Sequence, residues 1–143
     1  MQTQCTSQDM QFTLSFTTTE KSKDSHSIVE NWKLDGKELI YNRNFGGRLS
    51  SKKPERKSVK LNNDQIREIE GLFIEKSLHK NIPPDKHNEF HAPYTAIYVH
   101  LSIRHNDENY DIHLYDLASQ LPEDETYQSI DSVVKILKGF INF

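Results

Sequence analysis

The segment from Tyr94 to Asp116 alternates between apolar and polar side chains on both sides of a polar break at Asn106-Asp107. Because successive side chains of a strand point to opposite faces, this period of two predicts a β-hairpin. One face is apolar and suited to a core, whereas the other carries aromatic, imidazole and carboxylate groups. With the turn confined to Asn106-Asp107, the polar face pairs side chains across the two strands: Tyr98 with Tyr115, His100 with His113, and Ser102 with Asp111.

A longer loop, of about four residues, is the alternative at the same turn. Arg104 would then face Asp111, and His100 would face Tyr115. An ion pair would replace the histidine pair, and opposite charges directly across two strands are favourable. The sequence leaves this choice of register open.

Apolar spacing predicts the other elements as well. Phe12, Leu14 and Phe16 alternate with polar residues in a first strand, and a short strand at about 58–61 is a further candidate. Asp35-Gly36 predicts a type I′ hairpin turn, which would set Trp32 against Leu39. Helical spacing of apolar residues predicts one helix from about 64 to 78 and a second helix after Pro122.

The order of these elements favours one fold class. Strands and helices do not alternate as they do in parallel α/β folds, so an antiparallel sheet is expected. We predict an α+β fold in which a sheet of about five to six strands carries two amphipathic helices on one face. The predicted boundaries are a flexible N-terminus over residues 1–8 and a single domain over residues 9–143.

The composition limits the cellular compartments and the cysteine-dependent sites that can be expected for this chain. No run of apolar residues approaches the roughly 18 that a membrane-spanning helix needs, and no charged and apolar leader opens the chain. The chain as written is therefore expected to be cytoplasmic, or exported if Met1 replaces a removed signal peptide. Cys5 is the only cysteine, which excludes an internal disulfide and a thiolate metal cluster.

Charge is unevenly distributed along the chain. The net charge is −3, but residues 43–60 hold seven basic residues and one acidic residue. This basic loop favours an acidic protein partner. The remaining chain is strongly acidic and would repel a polyanion, which disfavours nucleic acid.

Six of the seven histidines lie between His79 and His113, and neutral imidazole is a common metal ligand. His87 and His91 have the spacing that places two side chains on one face of a helical turn. Glu89 does not directly follow the first histidine, so the zincin motif is absent. We assign no metal ligand on this basis, and a zinc site with His87 and His91 remains the alternative.

The chain contains no glycine-framed nucleophilic serine and no cysteine–histidine candidate for covalent catalysis. The sequence therefore favours a non-enzymatic binding or inhibitory module over an enzyme, with a metal-binding protein as the alternative. It does not specify the oligomeric state. The candidate binding residues, all from the hairpin, are Tyr98, His100, Arg104, Asp111, His113 and Tyr115.

Overall fold

The computed structural model describes residues 10–21, 26–47, 49, 51–83 and 94–141. The predicted flexible N-terminus at residues 1–8, with Cys5, lies outside this part of the chain. The described elements, in chain order, are β1 (Gln11–Lys21), β2 (His26–Asp35), β3 (Glu38–Gly47), β4 (Glu55–Lys60), α1 (Asn63–Glu75), β5 (Tyr94–His105), β6 (Glu108–Leu117) and α2 (Glu125–Ile141). A short 3-10 turn at Leu121–Glu123 precedes α2.

The strands form one six-stranded sheet with the order β4-β3-β2-β1-β5-β6. Every neighbouring pair is antiparallel, including β1 with β5, which joins the two hairpins. The predicted α+β class with an antiparallel sheet is confirmed. No helix within the described residues is long and apolar enough to cross a membrane.

The β5–β6 hairpin has the register of the shorter turn. Asn106 and Asp107 both adopt positive φ angles, 53° and 63°, as a type I′ turn requires. Asparagine and aspartate tolerate this left-handed conformation better than most residues do. His100 therefore faces His113, and the alternative pairing of Arg104 with Asp111 does not occur.

The register predicted for the β2–β3 hairpin is wrong. Its turn is formed by Gly36 and Lys37, and only Gly36 has positive φ, which matches a type II′ turn with glycine first. Trp32 consequently faces Tyr41 instead of Leu39. The two aromatic rings pack 4.7 Å apart between centroids, so this register also brings large buried side chains directly opposite each other.

One set of alternate strand residues enters the hydrophobic core together with side chains of both helices. The ring of Phe12 packs edge-on against Phe73 of α1 at 5.2 Å, and Phe16 packs edge-on against Tyr127 of α2 at 6.4 Å. Phe12 and Phe16 are four residues apart on β1 and therefore point to the same side of the sheet. The fully buried members of this core include Leu14, Trp32, Leu34, Leu39, Leu101, Ile103, Ile112, Ile69, Ile130 and Leu137.

The first helix begins as its sequence predicts and ends earlier. Asn62 accepts a hydrogen bond from the backbone N–H of Gln65, and the Gln65 side chain accepts one from the Asn62 N–H, which completes a capping box. The predicted end near Leu78 is wrong, because Ser77 has a φ of 56° and terminates the helical run after Glu75.

Candidate functional site

The other set of alternate strand residues forms what we call the open face of the sheet. Its described side chains are exposed or half-buried, with the single exception of Ala96. On β5 and β6, the open face comprises Tyr94, Ala96, Tyr98, His100, Ser102, Arg104, Asn109, Asp111, His113, Tyr115 and Leu117. Five of the six sequence-predicted binding residues lie in three adjacent rows of this hairpin, and Arg104 lies one row further along.

His100 and His113 form the centre of this region. They are direct cross-strand partners, and their imidazole rings stack with centroids 4.1 Å apart and planes inclined by 13°. The same row continues across the sheet through Ser15, Asn31 and Asn42, and it ends at Arg56 on the edge strand. The stacked imidazoles thus lie at one end of a polar row that carries a cation at the other end.

Tyr98 connects the histidine row to the aromatic row beside it. Its hydroxyl shares a hydrogen bond with Nδ1 of His113, and its ring lies 6.4 Å from that of Tyr115. Burial, together with the nearby Asp111 carboxylate, raises the pKa of the Tyr98 phenol. The tyrosine therefore stays protonated at neutral pH and holds His113 in a fixed orientation.

Asp111 lies in the neighbouring row and joins Tyr98, His100 and His113. We call these four side chains the cluster. One of its carboxylate oxygens lies 3.0 Å from Nε2 of His100. Its pKa is lowered, first by this hydrogen bond and also by one from Ser102. The carboxylate is therefore ionised at neutral pH and accepts from both partners.

The pKa of His113 is shifted in the opposite sense to that of a salt-bridged histidine. Burial lowers the pKa most, and the nearby His100 lowers it further, while Asp111 opposes both effects. The imidazole of His113 is consequently neutral at pH 7. A neutral imidazole presents one N–H donor and one nitrogen acceptor, so this histidine can both donate and accept.

The backbone beneath the cluster is fixed from outside the sheet. The Ile82 N–H donates to the carbonyl of Asp111 at 2.8 Å, and the His113 N–H donates to the carbonyl of Ile82 at 3.0 Å. The side-chain oxygen of Asn81 also accepts from the Asp111 N–H at 2.9 Å. The outer edge of β6 is therefore paired where the cluster lies, which restricts backbone motion there.

Arg104 and the basic loop supply positive charge outside the cluster, Arg104 from the row next to Asp111. Arg104 faces Asn109 and borders a shallow depression that also includes Gln11, Lys33 and Asp35. From the basic loop, β4 contributes Arg56 and Lys60 to the open face at the far edge of the sheet. Positive charges thus lie at the β4 edge and at Lys33 and Arg104, and the carboxylates of Asp35 and Asp111 lie close to the latter two.

The predicted histidine cluster does not assemble as one site within the described residues. His79 packs edge-on against Tyr110, and His105 pairs with Glu70 of α1 at 2.7 Å. His87 and His91 lie outside the described ranges. Among the described residues, three potential ligand side chains gather in one place, with candidate ligand atoms all within 4.8 Å of one another: His100, Asp111 and His113.

Two contributors to the site were not among the predicted residues. Ser102 was paired with Asp111 in the predicted register, and this position alone could have identified it as a hydrogen-bonding partner. The segment Asn81-Ile82 gave no local signal, because it lies about 30 residues from the strand that it pairs with.

Comparisons with known proteins give little further guidance. No protein-family model matches the chain, and no curated protein matches it. Among solved structures, the chain is similar to the cowpox virus protein CPXV018 (OMCP), with 11% sequence identity and a TM-score of 0.32, over 90% of this chain and 83% of the viral one. At this level of similarity, the match does not establish a common fold or a common function.

Proposed function

We propose that this protein is a non-enzymatic binding module that engages its partner through the open face of the sheet. In this proposal, the two helices cover the opposite face and supply the core, so that the open face is available for recognition. The observation that carries it is the two adjacent rows of half-buried aromatic and imidazole groups, Tyr98 with Tyr115 and His100 with His113. Neither row belongs to the hydrophobic core formed by the described residues.

The physical basis of the proposal is preorganisation. A surface whose side chains are already fixed loses less conformational entropy on binding than one with free rotamers does. Stacking fixes His100 and His113, and hydrogen bonds fix Tyr98 and Asp111. Tyrosine in particular offers a large contact area with few rotatable bonds, which is why interfaces are enriched in it.

Charge supports an acidic partner. The open face carries Arg56 and Lys60 at one edge and Arg104 near its other end, and all three are exposed. An acidic protein segment lying across the sheet from β4 to the hairpin would meet Arg56 and Lys60 at one end, and Tyr98 and Tyr115 with Arg104 on the same hairpin at the other. Electrostatic complementarity of this kind raises association rates and selects partners more than it raises affinity.

Selection of binding peptides from a displayed random library tests this proposal. Peptides enriched on the wild-type protein are expected to be rich in Asp and Glu, and calorimetry then gives their affinity. The double variant Tyr98→Ser/Tyr115→Ser should weaken binding by about tenfold or more, because central aromatic side chains dominate interface energies. Its thermal melt should remain close to wild type.

A charge-matched pair of variants locates the interface. Arg56→Gln/Lys60→Gln removes two positive charges from the open face, whereas Lys135→Gln/Lys138→Gln removes two from the exposed side of α2. The first pair should lower affinity several-fold and the second should not. Peptides that bind the tyrosine variant as tightly as wild type, or a failure to enrich any peptide, would contradict the proposal.

A further inference from the structure

The three side chains at the centre of the open face have the donor set of a transition-metal site. His100 and His113 offer imidazole nitrogens, and Asp111 offers a carboxylate oxygen. Two histidines with one carboxylate bind zinc in several hydrolases and iron in a class of oxygenases. The combination is chemically specific, since hard ions such as calcium and magnesium prefer oxygen ligands alone.

The distances allow one ion to reach all three groups. Tetrahedral zinc with bonds of about 2.0–2.1 Å places its ligand atoms roughly 3.3 Å apart. Nε2 of His100 and the nearer oxygen of Asp111 are already 3.0 Å apart. The candidate ligand atoms all lie within 4.8 Å of one another. Because an imidazole binds a metal ion in the plane of its ring, the two stacked rings would also have to turn out of their stack so that their nitrogens converge on one ion.

The backbone supplies the spacing that such a site needs. Asp111 and His113 are two residues apart on β6 and therefore share a face, and His100 lies directly across from His113 on β5. The three groups thus come from adjacent positions on two strands paired along their length. The pairing of β6 with Asn81-Ile82 restrains the same positions from the other side.

Tyr98 supplies the second interaction that metal-binding histidines usually have. A ligating imidazole commonly forms a hydrogen bond through its other nitrogen, which fixes the tautomer and the ring orientation. Nδ1 of His113 is hydrogen-bonded to the Tyr98 hydroxyl, which leaves Nε2 for coordination. Tyr98 is therefore a positioning residue and not a ligand.

We infer that His100, Asp111 and His113 form a binding site for a divalent transition-metal ion, with zinc the appropriate probe. Three protein ligands leave at least one position of a tetrahedral ion for water or an outside donor. The side chains of His100 and Asp111 are 37% and 47% exposed, so the ion is accessible from solvent. This inference does not depend on the proposed binding of a protein partner.

Calorimetric titration of the chelator-treated protein with zinc chloride tests the site. Wild type should bind with a single-site isotherm, and His100→Ala or His113→Ala should weaken binding by about 100-fold or more, since even second-sphere changes cost about 10–100-fold. Asp111→Asn should also weaken binding, because it removes the anionic ligand and keeps the side-chain shape. Far-UV circular dichroism confirms that each variant is folded.

Two histidine controls identify the origin of any binding. His79→Ala removes an exposed histidine outside the cluster, and His87→Ala/His91→Ala removes the pair that sequence spacing singles out. Both should bind zinc as wild type does. Absence of binding by wild type would overturn the inference, as would binding that survives His100→Ala and His113→Ala but is lost with the His87/His91 variant.

A measurement on the unmodified protein covers the case in which a variant fails to fold. In NMR spectra, zinc should shift or broaden the imidazole C–H resonances of His100 and His113, while that of His79 stays in place. If zinc moves the His79 signal and leaves the other two unchanged, the site is not the one proposed here.

Discussion

The two faces of the β5–β6 hairpin carry the same number of side chains in the same register, and they differ in nearly every physical respect. Leu101 and Ile112 are paired on one face and almost fully buried, whereas His100 and His113 are paired on the other and half-buried. The first pair is stabilised by burial in the hydrophobic core. The second pair is held by stacking of the two rings and by the hydrogen bond between His113 and Tyr98. Neighbouring positions of one strand can therefore be separated into those that stabilise the protein and those that remain available for another role.

The largest loss of stability is expected from a substitution on the buried face of the hairpin. Replacing Leu101 by alanine removes a side chain that is 1% exposed, and it should lower the free energy of unfolding by about 2–5 kcal/mol through lost burial and a residual cavity. Chemical denaturation monitored by circular dichroism measures this loss. His100→Ala, one position away on the same strand, should lower stability by about 1 kcal/mol or less. Equal losses for the two variants would mean that the open face is also part of the core.

A similar contrast exists between two histidine–carboxylate pairs on opposite faces of β5. The His105–Glu70 pair spans 2.7 Å with side chains 19% and 22% exposed, whereas the His100–Asp111 pair spans 3.0 Å at 37% and 47% exposed. The first pair joins the end of β5 to α1.

Glu70→Ala should therefore destabilise the protein by about 1–2 kcal/mol, because the hydrogen bond is shielded and links two elements. Asp111→Ala should cost about 0.5 kcal/mol or less, because the side chains of the His100–Asp111 pair are more exposed to water. Urea denaturation of both variants, without metal, makes the comparison. A larger loss for Asp111→Ala would reverse the assignment of structural and available roles.

These pairs also show what the sequence could and could not predict. The contact of His100 with Asp111 follows from strand alternation and a tight turn, both of which are local features. The contact of His105 with Glu70 joins residues 35 apart on a strand and a helix, and no local pattern encodes it. The β2–β3 register was wrong for a related reason: one glycine suits either of two turn types, and the pairing of buried side chains decides between them.

The hydroxyl groups of Tyr41 and Tyr98 form a third comparison. The pH dependence of protein stability tests the role of the Tyr41 hydroxyl. Tyr41 is 2% exposed and donates to Glu30 at 2.5 Å. Burial, followed by this hydrogen bond, raises the pKa of Tyr41 well above its ordinary value of 10.0. The folded state favours the protonated phenol of Tyr41. The stabilising contribution of this group is therefore complete at pH values below its pKa in the unfolded chain, and it is lost as pH rises through its higher pKa in the folded protein.

Tyr41→Phe should cost about 1 kcal/mol at about pH 8, and this deficit relative to wild type should shrink at about pH 11. Denaturant unfolding curves of both proteins at the two pH values measure the change. A deficit that stays constant or grows with pH would show that the Tyr41 phenol is not held in its protonated form by the fold.

The smallest effect on stability should come from the matching change on the open face. Tyr98→Phe removes a hydroxyl whose partner, His113, is itself within reach of water, so the free energy of unfolding should fall by about 0.5 kcal/mol or less. If Tyr98 orients His113 for coordination, the same variant should weaken zinc binding by about tenfold. Tyr115→Phe is the matched control, because its ring lies beside Tyr98 and its hydroxyl is not the one that holds His113. A Tyr98→Phe protein that loses stability as Tyr41→Phe does, while keeping its zinc affinity, would assign the Tyr98 hydroxyl to the fold and not to the site.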